Sequence, residues 1–132
     1  MPTLLEDLPA PSLRIYPRET VFAEKLEAIV VLGMANSRMK DYFDLLSLAR
    51  EGRLDPAELR NAVSATFERR NTPMPPSLPI GLTAEFASDS AKQRQWRAFL
   101  KRGRLEAPGL AEVVAELAGV VAPLLGAPQT VR

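Results

Sequence analysis

The charged residues with the clearest chemical potential are Lys25, Asp41 and Asp44, which fall in two neighbouring segments of helical periodicity. A fixed cation can offset negative charge, and a carboxylate can accept a proton or hold a metal ion. At about 100° per residue, Lys25 interrupts an apolar arc between Ile29 and Leu32. Charges are rarely placed on apolar helix faces unless they are paired or have a task.

The two segments are joined by a short connection, Gly33-Met34-Ala35-Asn36, with Ser37 as the predicted N-cap of the second helix. A connection this short favours antiparallel neighbours. At roughly 1.5 Å per residue, Lys25 and Asp44 lie at similar depth, and Asp41 lies about one turn nearer the loop. The spacing therefore predicts a cluster of Lys25 with Asp41 or Asp44, without choosing between the aspartates.

A structural ion pair between the two helices is the alternative interpretation of this cluster, because paired charges also occupy partly buried places in proteins with no chemical task. The neighbouring acids have plainer interpretations. Glu24 and Glu27 fall on the opposite side of the first helix, where water is expected, and Glu19 is a first-turn acid that complements the helix dipole.

Composition limits the classes of function. The chain has 132 residues, enough for one domain, and its net charge of +1 gives no strong global attraction to nucleic acid or membranes. It contains neither cysteine nor histidine, which excludes thiolate chemistry and removes the commonest general base and zinc ligand. No apolar run approaches the roughly 20 residues of a membrane span, so we expect a cytoplasmic protein.

The periodicity predicts a mainly α fold of about five helices in a bundle-like array, preceded by an extended N-terminal segment in which Leu13–Tyr16 resembles a short strand. Asp55 and Asp89 are predicted to cap the third and fourth helices. The predicted helices cover residues 17–33, 37–51, about 55–71, about 90–103 and 110–125. The predicted divisions are an extended segment 1–16, a helical motif region 17–71, a proline-rich crossing 72–89, a C-terminal helical pair 90–126 and a tail 127–132.

The pattern Pro17-x-Glu19-x-x-x-Ala23-Glu24-Lys25-Leu26-x-Ala28, followed by Ser37-Arg38-x-Lys40-Asp41-x-x-Asp44-Leu45, resembles two later motifs of the AbiEii/AbiGii-type nucleotidyltransferase toxins of abortive-infection and toxin–antitoxin systems. The resemblance implies a polymerase-β-like nucleotidyltransferase that uses Mg²⁺ and a nucleoside triphosphate (NTP), with an RNA acceptor such as tRNA. It implies that Lys25 contacts the triphosphate. Lys40 is a further candidate on a different ground, because a cation is disfavoured in the first turn of a helix unless it contacts an anion or is simply exposed at the surface. The resemblance also implies that Asp41 acts in the active site, with Asp44 as a further candidate.

The earlier motifs of that fold, a Gly-Ser loop and an Asp-x-Asp pair on a sheet, do not occur in this sequence. None of the seven glycines precedes a serine, and none of the five aspartates forms an Asp-x-Asp pair. We therefore predict no metal ligands in this chain and interpret it as the C-terminal helical part of such a toxin, lacking its sheet. On that interpretation the chain is inactive alone, and its partners are an antitoxin and the missing N-terminal nucleotidyltransferase half.

A basic stripe lies along the fourth predicted helix. Lys92 and Arg102 are near it. A solvated helix face is the plain interpretation, and contact with an RNA backbone is the sharper one. The sharper interpretation supports an alternative function, a helical module that binds RNA or an antitoxin. The stripe consists of Arg94, Arg97, Lys101 and Arg104.

Overall fold

The computed structural model describes residues 17–125, a range in which every regular element is helical. The mainly α prediction is confirmed for this range. Three short 3₁₀ turns, at Gly33–Ala35, Ile80–Leu82 and Ala122–Leu124, supplement the α-helices. The six helices are α1 (Arg18–Leu32), α2 (Met39–Glu51), α3 (Pro56–Arg69), α4 (Ala84–Ser88), α5 (Ser90–Gly103) and α6 (Leu110–Val121).

Two predicted caps are present. Asp55 accepts a 2.8 Å hydrogen bond from the backbone N–H of Glu58 and precedes Pro56 at the first position of α3. Asp89 accepts one of 3.0 Å from the backbone N–H of Lys92 at the start of α5. Each satisfies an N–H group that has no partner within its own helix, which is why acids are favoured at these positions.

The connection between α1 and α2 departs from the prediction at one residue. Gly33 ends α1 with a φ of +54°, a conformation that favours glycine. The predicted cap at Ser37 is wrong, because α2 begins at Met39 and no side chain caps its first turn. Instead, Asn36 Oδ1 accepts a 2.7 Å hydrogen bond from the Arg38 N–H, so an asparagine turn outside the helix satisfies that donor.

The core forms where all six helices contribute buried side chains. Helix α1 packs against α2 and α3, and α2 also packs against α5 and α6. Tyr42 of α2 stacks on Phe86 of α4 with ring centroids 5.3 Å apart. Trp96 of α5 is buried and donates a 2.9 Å hydrogen bond to the carbonyl oxygen of Pro108. Helix α2 thus has packing partners in α1, α4, α5 and α6.

Three features of the chain differ from, or lie beyond, the predicted helix inventory. Helix α4 occupies part of the predicted crossing 72–89, and Thr83 caps it. The prolines of this segment led to the prediction of an irregular connection, so this short helix was missed. Helix α6 ends at Val121 rather than at residue 125, because Pro123 has no N–H to continue the helical ladder. The predicted strand at Leu13–Tyr16 and the predicted tail 127–132 lie outside the described residues. No helix within 17–125 has both the length and the apolarity needed to cross a membrane.

Replacing Gly81 with alanine is expected to destabilise the fold by about 1–3 kcal/mol, because the new methyl group would overpack the core. A Cβ at this position would lie 2.8 Å from both Ile29 Cγ2 and Tyr42 Oη. Chemical denaturation measures the effect. The matched control is Gly119→Ala in the exposed part of α6, where a Cβ meets nothing within 4 Å. It should be stabilising by up to about 1 kcal/mol. Equal effects of the two substitutions would contradict the packing at Gly81.

Candidate functional site

The α1–α2 hairpin brings Lys25 between the two aspartates that the sequence singled out. Lys25 Nζ donates a 3.2 Å hydrogen bond to Asp41 Oδ1 and lies 3.1 Å from Asp44 Oδ2. The predicted contact is present, and it involves both acids rather than one. The Lys25 side chain is 24% exposed, so it is held by carboxylates at a partly exposed position. We call the group of Lys25, Arg38, Lys40, Asp41 and Asp44 the charged cluster.

The two acids of the charged cluster sit in different surroundings. The Asp41 side chain is only 3% exposed, whereas that of Asp44 is 24% exposed and also accepts a 2.6 Å hydrogen bond from Lys40 Nζ. Arg38 Nε lies 3.1 Å from Asp41 Oδ2 without hydrogen-bond geometry. Within residues 17–125, this buried oxygen therefore has an ionic neighbour but no hydrogen-bond donor.

The pKa shifts of Lys25 and Asp44 both favour the charged forms of these side chains. Partial burial alone would lower the pKa of Lys25, but hydrogen bonds and attraction from Asp44 and Asp41 outweigh burial, and the pKa is raised. Burial alone would likewise raise the pKa of Asp44, but hydrogen bonds and attraction from Lys40 and Lys25 prevail, and the pKa is lowered. The ion pairs therefore persist across the physiological pH range.

The charged cluster suits an anion better than a metal ion. Three cations face two carboxylates, a formal excess of +1, and the side chains of Arg38 and Lys40 are 60% and 72% exposed. Both carboxylates are already engaged by cations. No group of three or more acidic side chains that could hold a metal lies within residues 17–125. The residues of this range thus do not fit Mg²⁺, which needs free carboxylate oxygens, while the exposed cations fit phosphate.

A buried polar group behind the charged cluster was missed by the sequence analysis. Asn36 is fully buried, and its carbonyl oxygen accepts a 2.7 Å hydrogen bond from Lys92 Nζ. Tyr42 donates a 2.8 Å hydrogen bond to the Gly81 carbonyl oxygen, and burial raises its pKa strongly. Lys92 is therefore not part of a solvated basic face, as its position beside the stripe suggested. It anchors the start of α5 to the loop that carries Arg38.

Among the acids of α1, Glu27 differs from expectation, whereas Glu19 lies in the first turn as predicted. Glu27, predicted to face water, is buried at 5% exposure and accepts a 2.6 Å hydrogen bond from Thr72 Oγ1. Arg70 Nη1 lies 3.6 Å from its carboxylate. The prediction failed because α3 and the residues after it cover this side of α1. Glu24 stays partly exposed and accepts a hydrogen bond from Arg69. Glu19 accepts one of 2.8 Å from the Asp55 N–H, so it links α1 to the start of α3.

The basic stripe of α5 stands apart from the charged cluster. All four of its side chains are exposed, and within residues 17–125 none forms an ion pair or hydrogen bond with Lys25, Asp41 or Asp44. An exposed basic face is the arrangement that backbone contact with nucleic acid requires, and a solvated helix face has the same appearance. The stripe comprises Arg94, Arg97, Lys101 and Arg104.

Comparison with known families gives one result. The model of the family described as nucleotidyl transferase AbiEii toxin, type IV TA system, matches residues 1–116. The matched range contains the whole charged cluster and the basic stripe. Neither the curated proteins nor the solved structures contain a significant match to this chain.

Replacing Lys25 with methionine is expected to lower the free energy of unfolding by about 2–3 kcal/mol, because it removes the cation that donates a hydrogen bond to the buried Asp41 carboxylate. Chemical denaturation at pH 7 measures this. The control is Lys40→Met, an exposed member of the same cluster, for which the change should stay within about 0.5 kcal/mol. Adding Asp41→Asn to Lys25→Met should restore part of the loss. Similar costs for the two lysine variants would refute the central position of Lys25.

The contribution of Asp44 to stability should depend on pH. Its pKa in the folded chain lies below the ordinary value of 3.8, so its stabilisation is complete above that value. The stabilisation is lost as the pH falls through the folded pKa. The difference in unfolding free energy between the wild-type chain and Asp44→Asn should therefore shrink on acidification below about pH 4. Thermal or urea unfolding at a series of pH values tests this, and a constant difference would contradict it.

Proposed function

Because this chain belongs to the AbiEii family of nucleotidyltransferase toxins, we propose that it forms the helical, substrate-contacting part of an enzyme that transfers a nucleotide from an NTP to an RNA acceptor such as tRNA. The single observation that carries this proposal is the position of Lys25, whose partly exposed side chain is held between Asp41 and Asp44. A pre-positioned cation and a carboxylate side by side are what nucleotidyl transfer needs from the protein.

Lys25 is assigned to the triphosphate, with Lys40 and Arg38 as exposed cations that extend the same contact. The formal excess of one positive charge in the cluster supports this assignment, because phosphate oxygens can exchange with the carboxylates as partners of these cations. Lys25 is restrained by two acids from either side, so little conformational freedom is lost when it meets a phosphate. Its charge would offset the negative charge that develops as the pyrophosphate departs.

Asp41 is assigned to the acceptor hydroxyl. Its Oδ2 is buried and has no hydrogen-bond donor within residues 17–125, which leaves one lone pair for a hydroxyl proton. Arg38 Nε, 3.1 Å away, is the neighbour that must move for a hydroxyl to approach. Engagement of the Arg38 guanidinium by a phosphate would provide that movement. Asp44 then serves to hold Lys25 and Lys40 in place.

The chain is proposed to be inactive alone. Its sequence contains neither a Gly-Ser loop nor an Asp-x-Asp pair, and the two aspartates of the charged cluster are paired with cations. Catalytic Mg²⁺ and its ligands would therefore belong to an N-terminal nucleotidyltransferase half outside this sequence. The family description implies an antitoxin partner. A role in phage defence, and action in the cytoplasm where nucleotides and tRNA are found, are parts of the same proposal.

A helical binding module is the second candidate. The observation that favours it is the exposed basic stripe of α5, which could bind an RNA backbone, or an acidic antitoxin surface, without any chemistry at the charged cluster. The two candidates differ in what Lys25 does. A transferase part uses Lys25 to bind NTP, whereas a pure binding module leaves it as a structural ion pair.

Titration of the full chain with a metal-free NTP, followed by amide chemical shifts in NMR, tests the proposed function. We expect weak, millimolar-range binding that shifts the signals of Arg38, Lys40 and their neighbours and that is lost in Lys25→Met. The matched control is Lys101→Met, an exposed lysine of α5, which should leave the NTP-dependent shifts unchanged. Shifts confined to α5, or shifts that survive Lys25→Met, would favour the binding module.

A second assay tests the proposal that this chain alone does not transfer nucleotides. The chain is incubated with Mg²⁺, labelled NTPs and total tRNA, and we expect no transfer of label. Robust transfer by this chain alone would refute the assignment of the metal and phosphate-loop motifs to another segment.

A further inference from the structure

Lys92 is a buried cation outside the charged cluster. The residue is 8% exposed, and its Nζ donates a 2.7 Å hydrogen bond to the Asn36 carbonyl oxygen. The same Nζ lies 5.4 Å from the centroid of the Phe86 ring. Within residues 17–125, no carboxylate forms an ion pair with this amine. Because lysines are rarely buried without an acidic partner, the hydrogen bond to Asn36 indicates a specific task for this side chain.

The carbonyl group that Lys92 binds belongs to the connection between α1 and α2. Asn36 is fully buried and uses both of its oxygens, because its Oδ1 accepts a 2.7 Å hydrogen bond from the Arg38 N–H. Of the hydrogen bonds made by residues 33–38 to other parts of the described range 17–125, one comes from outside the α1–α2 hairpin, and it is the bond from Lys92. The connection is thus held from a distant segment by a single amine.

The orientation of Arg38 depends on this connection. Arg38 occupies the N-cap position of α2 with a φ of −85° and a ψ of 74°, outside the helical conformation, and no side chain caps the helix there. Its side chain is exposed, and its Nε lies 3.1 Å from Asp41 Oδ2. A long exposed side chain loses conformational freedom when it binds a ligand, and a fixed backbone reduces that loss. Arg38 therefore gains most from a rigid attachment.

An alternative role for Lys92 is to anchor the start of α5. Two other hydrogen bonds already do so. Asp89 accepts one of 3.0 Å from the Lys92 backbone N–H, and Gln93 Nε2 donates one of 2.9 Å to the Ala87 carbonyl oxygen. Helix α5 is therefore secured without the Lys92 amine, whereas the connection at residues 33–38 has no second hydrogen bond from a distant segment of the described chain. This difference favours the connection as the part that the amine holds.

We propose that Lys92 is a positioning residue for Arg38. Through the Asn36 carbonyl oxygen it fixes the α1–α2 connection, so that the Arg38 guanidinium is held beside the charged cluster where a triphosphate would bind. Lys92 does not touch the triphosphate, because its amine is buried and bound to Asn36. This inference rests on the proposed function and adds a buried residue to those that determine phosphate affinity.

A double-mutant cycle of Lys92 and Arg38 tests the inference. Inorganic tripolyphosphate, without metal, is titrated into the full chain at constant ionic strength, and amide chemical shifts give the Kd. Lys92→Met should raise the Kd about fivefold, as expected when one long side chain must be ordered on binding. Arg38→Gln should raise it about tenfold through loss of a charged contact. In the Arg38→Gln background, Lys92→Met should change the Kd by less than about twofold.

A purely structural role predicts a different result from the cycle. General loosening of the fold, or loss of one positive charge at a distance, would raise the Kd by the same factor in both backgrounds. Equal factors would therefore overturn the inference, as would an unchanged Kd in Lys92→Met. If Lys92→Met does not fold, Lys92→Gln takes its place in the same cycle with the same expected outcomes. Circular dichroism checks the folding of each variant.

The matched control is Gln93→Met. It removes a side-chain hydrogen bond to a backbone carbonyl oxygen from the same turn of α5, but one that does not reach Asn36. The Kd for tripolyphosphate should stay at the wild-type value in this variant. A loss of affinity equal to that of Lys92→Met would show that any disturbance of α5 is sufficient and would overturn the inference.

The proposed function and this inference can fail separately. If the wild-type chain does not bind tripolyphosphate, or if Lys25→Met leaves the Kd unchanged, the assignment of the triphosphate to the charged cluster fails, and the inference fails with it. If Lys25→Met abolishes binding while the cycle shows no coupling between Lys92 and Arg38, the inference alone fails.

Discussion

Burial of the Asp41 carboxylate is the constraint on which the arrangement of the site depends. A carboxylate that is 3% exposed carries a desolvation cost of several kcal/mol unless a cation meets it closely. Lys25 and Arg38 supply that charge from α1 and from the α1–α2 connection. The two helices must therefore meet in one register, with the left-handed turn at Gly33 returning the chain after Leu32. A structural requirement of the core thus also fixes the position of Lys25, the candidate phosphate-binding lysine.

Much of this arrangement could be predicted from the sequence because its determinants are local. Lys25 and the aspartates lie within one hairpin, so helical spacing and a short connection were enough to bring them together. The caps at Asp55 and Asp89 were also predictable, since each depends only on the first turn of its own helix. Ser37 was wrongly predicted to be the N-cap of α2. The side chain of Asn36, one residue earlier, instead accepts a hydrogen bond from the Arg38 N–H.

The features that escaped prediction depend on contacts between distant segments. A helical wheel places Glu27 opposite the main apolar face, but it cannot show that Thr72 and the end of α3 will cover that side. Lys92 falls beside a basic stripe in sequence, yet its amine contacts the Asn36 carbonyl oxygen and lies 5.4 Å above the Phe86 ring.

The charges of the cluster indicate whether it could bind a metal ion or an anionic substrate in the proposed reaction. Two-metal transfer needs carboxylates that are free to clamp ions about 4 Å apart. Here Lys25 and Lys40 engage Asp44, and Lys25 also engages Asp41, so moving a metal to these acids would require displacing cations from a partly buried site. An approaching triphosphate meets the opposite situation, since it adds anionic partners to a cluster that already has an excess cation. The helical part is thus suited to hold the substrates and is poorly suited to hold the metal. The proposed reaction therefore needs metal ligands other than the carboxylates of this cluster.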